Sequence, residues 1–133
     1  METTATKNKS IKSFTGLRAW QEGHDLVVSI YKFTKNFPKE ERYSLTDQMR
    51  RSASSITSNI AEGFARQGYK EKLRFYYIAQ GSLTELKNQL LISRDIGYLN
   101  NDDFKVLAEK ANNVHRILQG LISKSKTFLN RTS

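Results

Sequence analysis

Between Ser44 and Gln67 the chain carries two helical stripes where folding needs only one. Leu45, Met49, Ala53, Ile56, Ile60 and Phe64 recur at steps of three and four, which sets one continuous apolar face on a helix. Gln48, Arg51, Ser55, Asn59, Glu62 and Arg66 recur at similar steps and set a second, polar face. The first face gives the helix something to bury. The second is not needed for that, so it is the first place to look for function. The segment is also dense in small residues: Ser52, Ala53, Ser54, Ser55, Ser58 and Ala61. Serine is a weak helix former, so tight packing or side-chain hydrogen bonding is expected to offset its propensity.

Three more helices flank this one. Leu17, Trp20, His24, Val27, Tyr31 and Thr34 alternate steps of three and four, a seam of the kind that bundles use. Thr15 is its expected N-cap, and it is expected to stop before Pro38, because the residue before a proline is pushed out of the α region. Gly23 would cost about 1 kcal/mol relative to Ala in an exposed helix, which points to a close helix approach. Ser44 or Thr46 caps the second helix, with Asp47 favourable in its first turn. Gln67-Gly68 breaks the chain before a third helix carrying Leu73, Phe75, Tyr76, Ala79, Leu83, Leu86, Leu90 and Leu91. Gly81 and Ser82 suggest a second close crossing. Gly97 closes that helix, and Asn101 caps the fourth, with Asp102 and Asp103 behind it.

The fourth helix has the cleanest pattern. Phe104, Leu107, Ala111, Val114, Leu118, Leu121, Ser125 and Phe128 hold the alternation, and Ala108, His115, Ile122 and Leu129 widen it. That width predicts at least two packing neighbours. No β pattern competes. The expectation is an all-α, antiparallel, up-down-up-down four-helix bundle over residues 14–129, after a mobile basic tail at residues 1–13. The final NRTS is expected to fray.

A chain of 133 residues fits one domain with one core. Cysteine is absent, which excludes disulfides and thiolate metal sites. No apolar run approaches a membrane span, and METTATKNKSIKS lacks the apolar centre of a secretory signal, so a cytoplasmic protein is expected. The 22 Lys+Arg against 13 Asp+Glu give a net charge of +9, which favours RNA, DNA or an acidic protein surface as partner. The alternative is that the charge serves solubility. Lys7, Lys9 and Lys12 near one terminus, and Lys124, Lys126 and Arg131 near the other, could add salt-sensitive affinity for phosphates as mobile basic ends.

FTGLRAWQEGHDL, FPKEERYSLTDQMRRSASSITSNIAEGFAR and FYYIAQGSLTELKNQLLISRDIGYL together resemble the bacterial four helix bundle protein family, also called the S23 or 23S rRNA intervening-sequence protein family. The resemblance covers about residues 14–122 and centres on the motif L-T-x-Q-x-R-R-x-x-x-S-I-x-x-N-I-A-E-G-x-x-R. The family is related to the accessory variability determinant proteins of diversity-generating retroelements. The resemblance implies a four-helix bundle, no known enzymatic activity, and homo-oligomers with a ring-shaped pentamer as the expected form; no cofactor is expected. Through the retroelement relatives it also implies nucleic acid binding on a basic surface.

Arg50, Arg51 and Arg66 are the arginines of the second helix, and a guanidinium fork can bond two phosphate oxygens at once. The opposing reading pairs them with Glu62, Asp47 or the acids of a neighbouring subunit. Lys70, Lys72 and Arg74 interleave with Tyr69, Phe75, Tyr76 and Tyr77, and aromatics among cations either stack bases or fill a core. These six cations are the candidate nucleic-acid contacts. Gln48, Ser55, Asn59 and Glu62 are the candidate structural or oligomer network, with Asn59 and Glu62 three residues apart on one face. Glu62 as a general base would need a nucleophile, oxyanion donors or a metal, and none is supplied, so no catalytic residue is assigned. His24 and His115 lie on or beside apolar seams with no Glu-x-x-His pair, which favours packing over metal binding. A protein-interaction adaptor for an acidic partner is the alternative function.

Overall fold

The computed structural model describes residues 11–132, which form four helices: α1 Arg18–Thr34, α2 Leu45–Ala65, α3 Tyr69–Asp95 and α4 Asn101–Thr132. Among the described residues there is no strand. Each helix packs on the one before it, and α4 closes the square against α1. The architecture is therefore the up-down-up-down bundle that the short connections predict. Lys7 and Lys9, with most of the expected mobile tail, lie outside the described residues. The C-terminal NRT, expected to fray, is helical.

The core runs along the axis. Met49, Ala53, Ile56 and Ile60 from α2 meet Tyr76, Ala79, Leu83, Leu86 and Leu90 from α3, and Leu107, Ala111, Val114 and Leu118 from α4. The α2 and α4 stripes are those in the sequence. The α1 stripe is displaced. Its buried residues are Ala19, Gly23, Leu26, Ser29, Ile30 and Thr34, while His24 and Tyr31 are exposed, and Leu17, Trp20 and Val27 pack only partly on the core. Two stripes interleave in α1, and Leu17, Trp20 and Val27 of the expected one cover the edge of the core instead of filling it. The buried one carries Leu26 and Ile30 into the core and has glycine where α1 lies close to α2: a Cβ on Gly23 would sit 3.0 Å from Thr57 Cγ2.

The second close approach is at Gly63. A Cβ there would lie 2.6 Å from Tyr76 Cε1. Gly81, by contrast, faces open space, and no close crossing occurs at it.

Several caps differ from expectation. Thr15 sits in a short 3-10 turn, Phe14–Gly16, and α1 starts three residues later with Leu17 at its N-cap. Ser44 holds the N-cap position of α2 but donates its hydroxyl to Glu41 Oε1 at 2.6 Å, and that carboxylate accepts from the Leu45 N–H at 3.3 Å. Asn100, not Asn101, caps α4, accepting from the Asp103 N–H at 2.8 Å. Gly97 closes α3 as expected, with φ +87, and the Tyr98 N–H reaches back to the Ser93 carbonyl at 2.9 Å.

Candidate nucleic-acid interface

The polar stripe of α2 lies along the edge that faces α3. Ser55 Oγ and Ser82 Oγ share a hydrogen bond of 2.8 Å across the two helices. Asn59 Nδ2 donates to the Ser55 carbonyl at 2.8 Å and to its hydroxyl at 3.1 Å. The Ser55–Ser82 bond ties α2 to α3, and the Asn59 bonds brace Ser55 within α2. Glu62 takes no part in them, since it pairs with Arg66 at 3.0 Å on the surface. Gln48 and Arg51 line an open cleft of about 300 Å³ with Ser52, Ser55, Glu85 and Gln89. Gln89 is 7% exposed, and its Oε1 is buried without a hydrogen-bond partner.

The three α2 arginines part company. Arg50 turns to α1, where Nε donates to Thr34 Oγ1 at 3.0 Å and NH2 to the Tyr31 carbonyl at 3.3 Å, with the guanidinium 4.6 Å over the Tyr31 ring. Its fork satisfies the end of α1. Arg51, one residue and about 100° further round, pairs with Asp47 at 2.8 Å and is 79% exposed. Arg66 reaches over Phe75 at 4.7 Å from its ring centroid.

Arg66 is the start of a larger grouping. The antiparallel order brings the end of α2, the start of α3 and the end of α4 to one end of the bundle. Tyr69 stacks on Phe128 at 5.2 Å, and Lys126 Nζ lies 5.6 Å over the Tyr77 ring. Arg74 lies 5.5 Å over Phe75, Lys124 6.0 Å and Arg131 5.7 Å over Phe128. Lys70 is exposed one turn before Arg74. The acids of this end are Glu62 and Glu71, the latter 3.4 Å from Arg74. Lys72 is committed to structure: Nζ donates to the Phe64 carbonyl at 2.7 Å and sits 5.4 Å over the Phe64 ring, and burial pushes its pKa down. The remaining cations reach solvent.

Lys124, Lys126 and Arg131 are the cations that sequence reasoning missed as part of one surface. They read as a mobile basic end, yet α4 carries them as a rigid helix beside Tyr69 and Tyr77. The aromatic run itself divides. Tyr76 is core, its hydroxyl pushed up to about 12 by burial and by Tyr69. Tyr69 turns to α4, Phe75 to α2, and Tyr77 is 43% exposed. His24 stacks on Trp20 at 4.7 Å. His115 is half-buried, its pKa lowered by burial and by Lys87. Among the described residues no cluster of His, Cys, Asp and Glu could hold a metal, and no helix is long and apolar enough to cross a membrane.

Residues 15–120 match the model of the 23S rRNA-intervening sequence protein family. The chain belongs to that family. The fold of a protein of unknown function from the S23 ribosomal protein family of Bacteroides thetaiotaomicron, a crystal structure, is similar with a TM-score of 0.74. The two are 19% identical over 79% of this chain and 95% of that one, which speaks to the fold alone. No curated protein matches the sequence. The 23S rRNA-intervening sequence match includes the whole α2 stripe and stops before Lys124. The basic end is thus assembled half from family-matched helices and half from the last turns of α4.

Proposed function

We propose that this chain is a non-enzymatic bundle that binds RNA or DNA at the end where α2 and α4 finish and α3 begins. One observation carries the reading: cations from three helices, remote in sequence, gather there with only Glu62 and Glu71 to offset them. Such a surface draws phosphates and releases counterions, so affinity falls as salt rises. The test compares two triple variants that remove equal charge. Arg74→Gln, Lys124→Gln and Lys126→Gln together should lower the salt slope of RNA binding by about 2 to 3, because each phosphate neutralised contributes about 0.7–0.9 to that slope. Lys35→Gln, Lys39→Gln and Arg42→Gln strip a cationic cleft at the opposite end and should leave the slope almost unchanged. A larger effect from the second triple would refute the placement.

A separate observation supports homo-oligomers. Ile78 and Ile92, 43% and 41% exposed, stand seven residues either side of Glu85, which lines the α2–α3 cleft, and Ile96 follows at 52%. A second copy seated here would cover the isoleucines and offer a donor to Gln89 Oε1. The resemblance supplies a ring of five as the assembly. Light scattering should return a mass above one chain, and Ile92→Asp should reduce it. A monomeric wild-type would favour the adaptor reading, in which an acidic protein takes the place of the second copy.

A further inference from the structure

We propose that the basic end takes a single strand, with bases stacking on Tyr77 and Phe75 while phosphates draw away the cations seated over those rings. The proposal rests on the nucleic-acid reading above and adds the form of the ligand. Its basis is the pairing of cation with ring. Lys126 lies over Tyr77, and Arg66 and Arg74 lie over Phe75. An exposed cation–ring contact is weak, whereas a charge-assisted bond to phosphate is a stronger partner for the cation. The exchange leaves a ring face free, and a ring face is what a base stacks on. A strand brings both halves of the exchange, phosphate and base. A duplex brings only the first, because its bases are stacked on each other, and a surface for phosphates alone has no use for the rings.

The layout supports a strand crossing α3. Tyr77 reaches the α4 side and Phe75 the α2 side, so the two rings flank the helix. Lys70 and Arg74, one turn apart and both exposed, lie on the outward face between them. At the other end of the bundle one such pair is Arg50 over Tyr31, and two hydrogen bonds hold that arginine in place. The other pair at that end, Arg94 over Phe104, stands alone, so it is the basic end that sets two such rings on either side of one helix.

The probes are a short fluorescein-labelled oligouridine and an RNA duplex with the same number of phosphates. Wild-type protein should bind oligouridine more tightly at equal salt. Tyr77→Leu should weaken oligouridine binding by about five- to 150-fold, the range for removal of one base–aromatic stack. Its salt slope and its duplex affinity should not change, which also shows the variant is folded. Tyr77→Phe should bind like wild type. If the duplex binds as tightly as oligouridine, or Tyr77→Leu has no effect while the Arg74, Lys124 and Lys126 triple still weakens binding, stacking is refuted and the basic end remains a phosphate surface. If neither probe binds at low salt, both readings fall.

Discussion

The two ends of this bundle carry similar numbers of cations and use them in opposite ways. At the end that holds the α1–α2 and α3–α4 connections, cations are tied to structure or offset by acids. Arg50 bonds the last turn of α1, Arg94 pairs with Asp95 at 2.9 Å over Phe104, and Glu40, Glu41, Asp47, Asp102 and Asp103 lie close by. At the other end Lys72 is tied to backbone carbonyls, while Arg66, Arg74, Lys124, Lys126 and Arg131 sit over rings, with exposed pairs to Glu62 and Glu71 at two of them. A net charge of +9 therefore does not locate a binding surface. What sets the basic end apart is that cations from three helices gather there over aromatic rings, with Glu62 and Glu71 as the nearby acids.

The largest expected effect tests how the basic end is held. Gly63→Ala puts a Cβ within 2.6 Å of Tyr76 and 3.1 Å of Phe75 Cβ. Tyr76 is a buried core ring and cannot swing away, so the variant should lose about 1–3 kcal/mol in urea denaturation, as overpacked sites do. Because Phe75 is displaced too, nucleic acid affinity should fall with stability. The matched change at the other end, Gly97→Ala, forces a side chain onto φ +87 and should cost about 1–2 kcal/mol with affinity intact. Equal affinity losses in both variants would erase the distinction between the ends.

A smaller effect separates two arginines. Arg50→Ala removes a charged donor from Thr34 Oγ1 and the Tyr31 carbonyl and should cost about 1–2 kcal/mol, with RNA affinity unchanged. Arg74→Ala loses an exposed pair with Glu71, which contributes about 0.5 kcal/mol or less, and an exposed contact with the Phe75 ring, but should weaken RNA binding. If the two variants exchange these outcomes, the assignment of ends is inverted.

The bundle is legible in the sequence because α4 and α2 bury long three–four stripes whose large side chains are the core. The bulky stripe of α1 is out of phase with the buried one, since Gly23 and Ala19 carry no hydrophobic bulk and their burial reflects how near α2 lies. Arg50 and Arg51 read as one pair, although adjacent helix positions point about 100° apart, and a helical projection separates them. Lys126 beside Tyr77 is not legible at all: 49 positions separate them, and only the antiparallel return of α4 brings them together. The bond from Tyr98 to Glu41 is hidden for the same reason, because 57 positions separate the two, whereas the Glu41 bonds to Ser44 and Leu45 are local.

That carboxylate gives the smallest and most local prediction. Glu41 Oε1 accepts from Ser44 Oγ and the Leu45 N–H, and Oε2 accepts from the Tyr98 hydroxyl at 2.8 Å. All three bonds favour the ionised form, led by the one from Ser44, and hold the pKa below its ordinary 4.5. In the unfolded chain the group returns to the ordinary value. Its contribution is thus complete above about pH 4.5 and is lost as pH falls through the depressed value. Glu41→Gln should be less stable than wild type at neutral pH, and the gap should close as the pH is lowered below 4.5. Tyr98→Phe should show part of the same behaviour. RNA affinity at neutral pH should be the same in all three proteins, since the carboxylate sits at the end opposite the proposed surface. Parallel stability curves across the acid range would mean that Ser44, and not Glu41, caps α2.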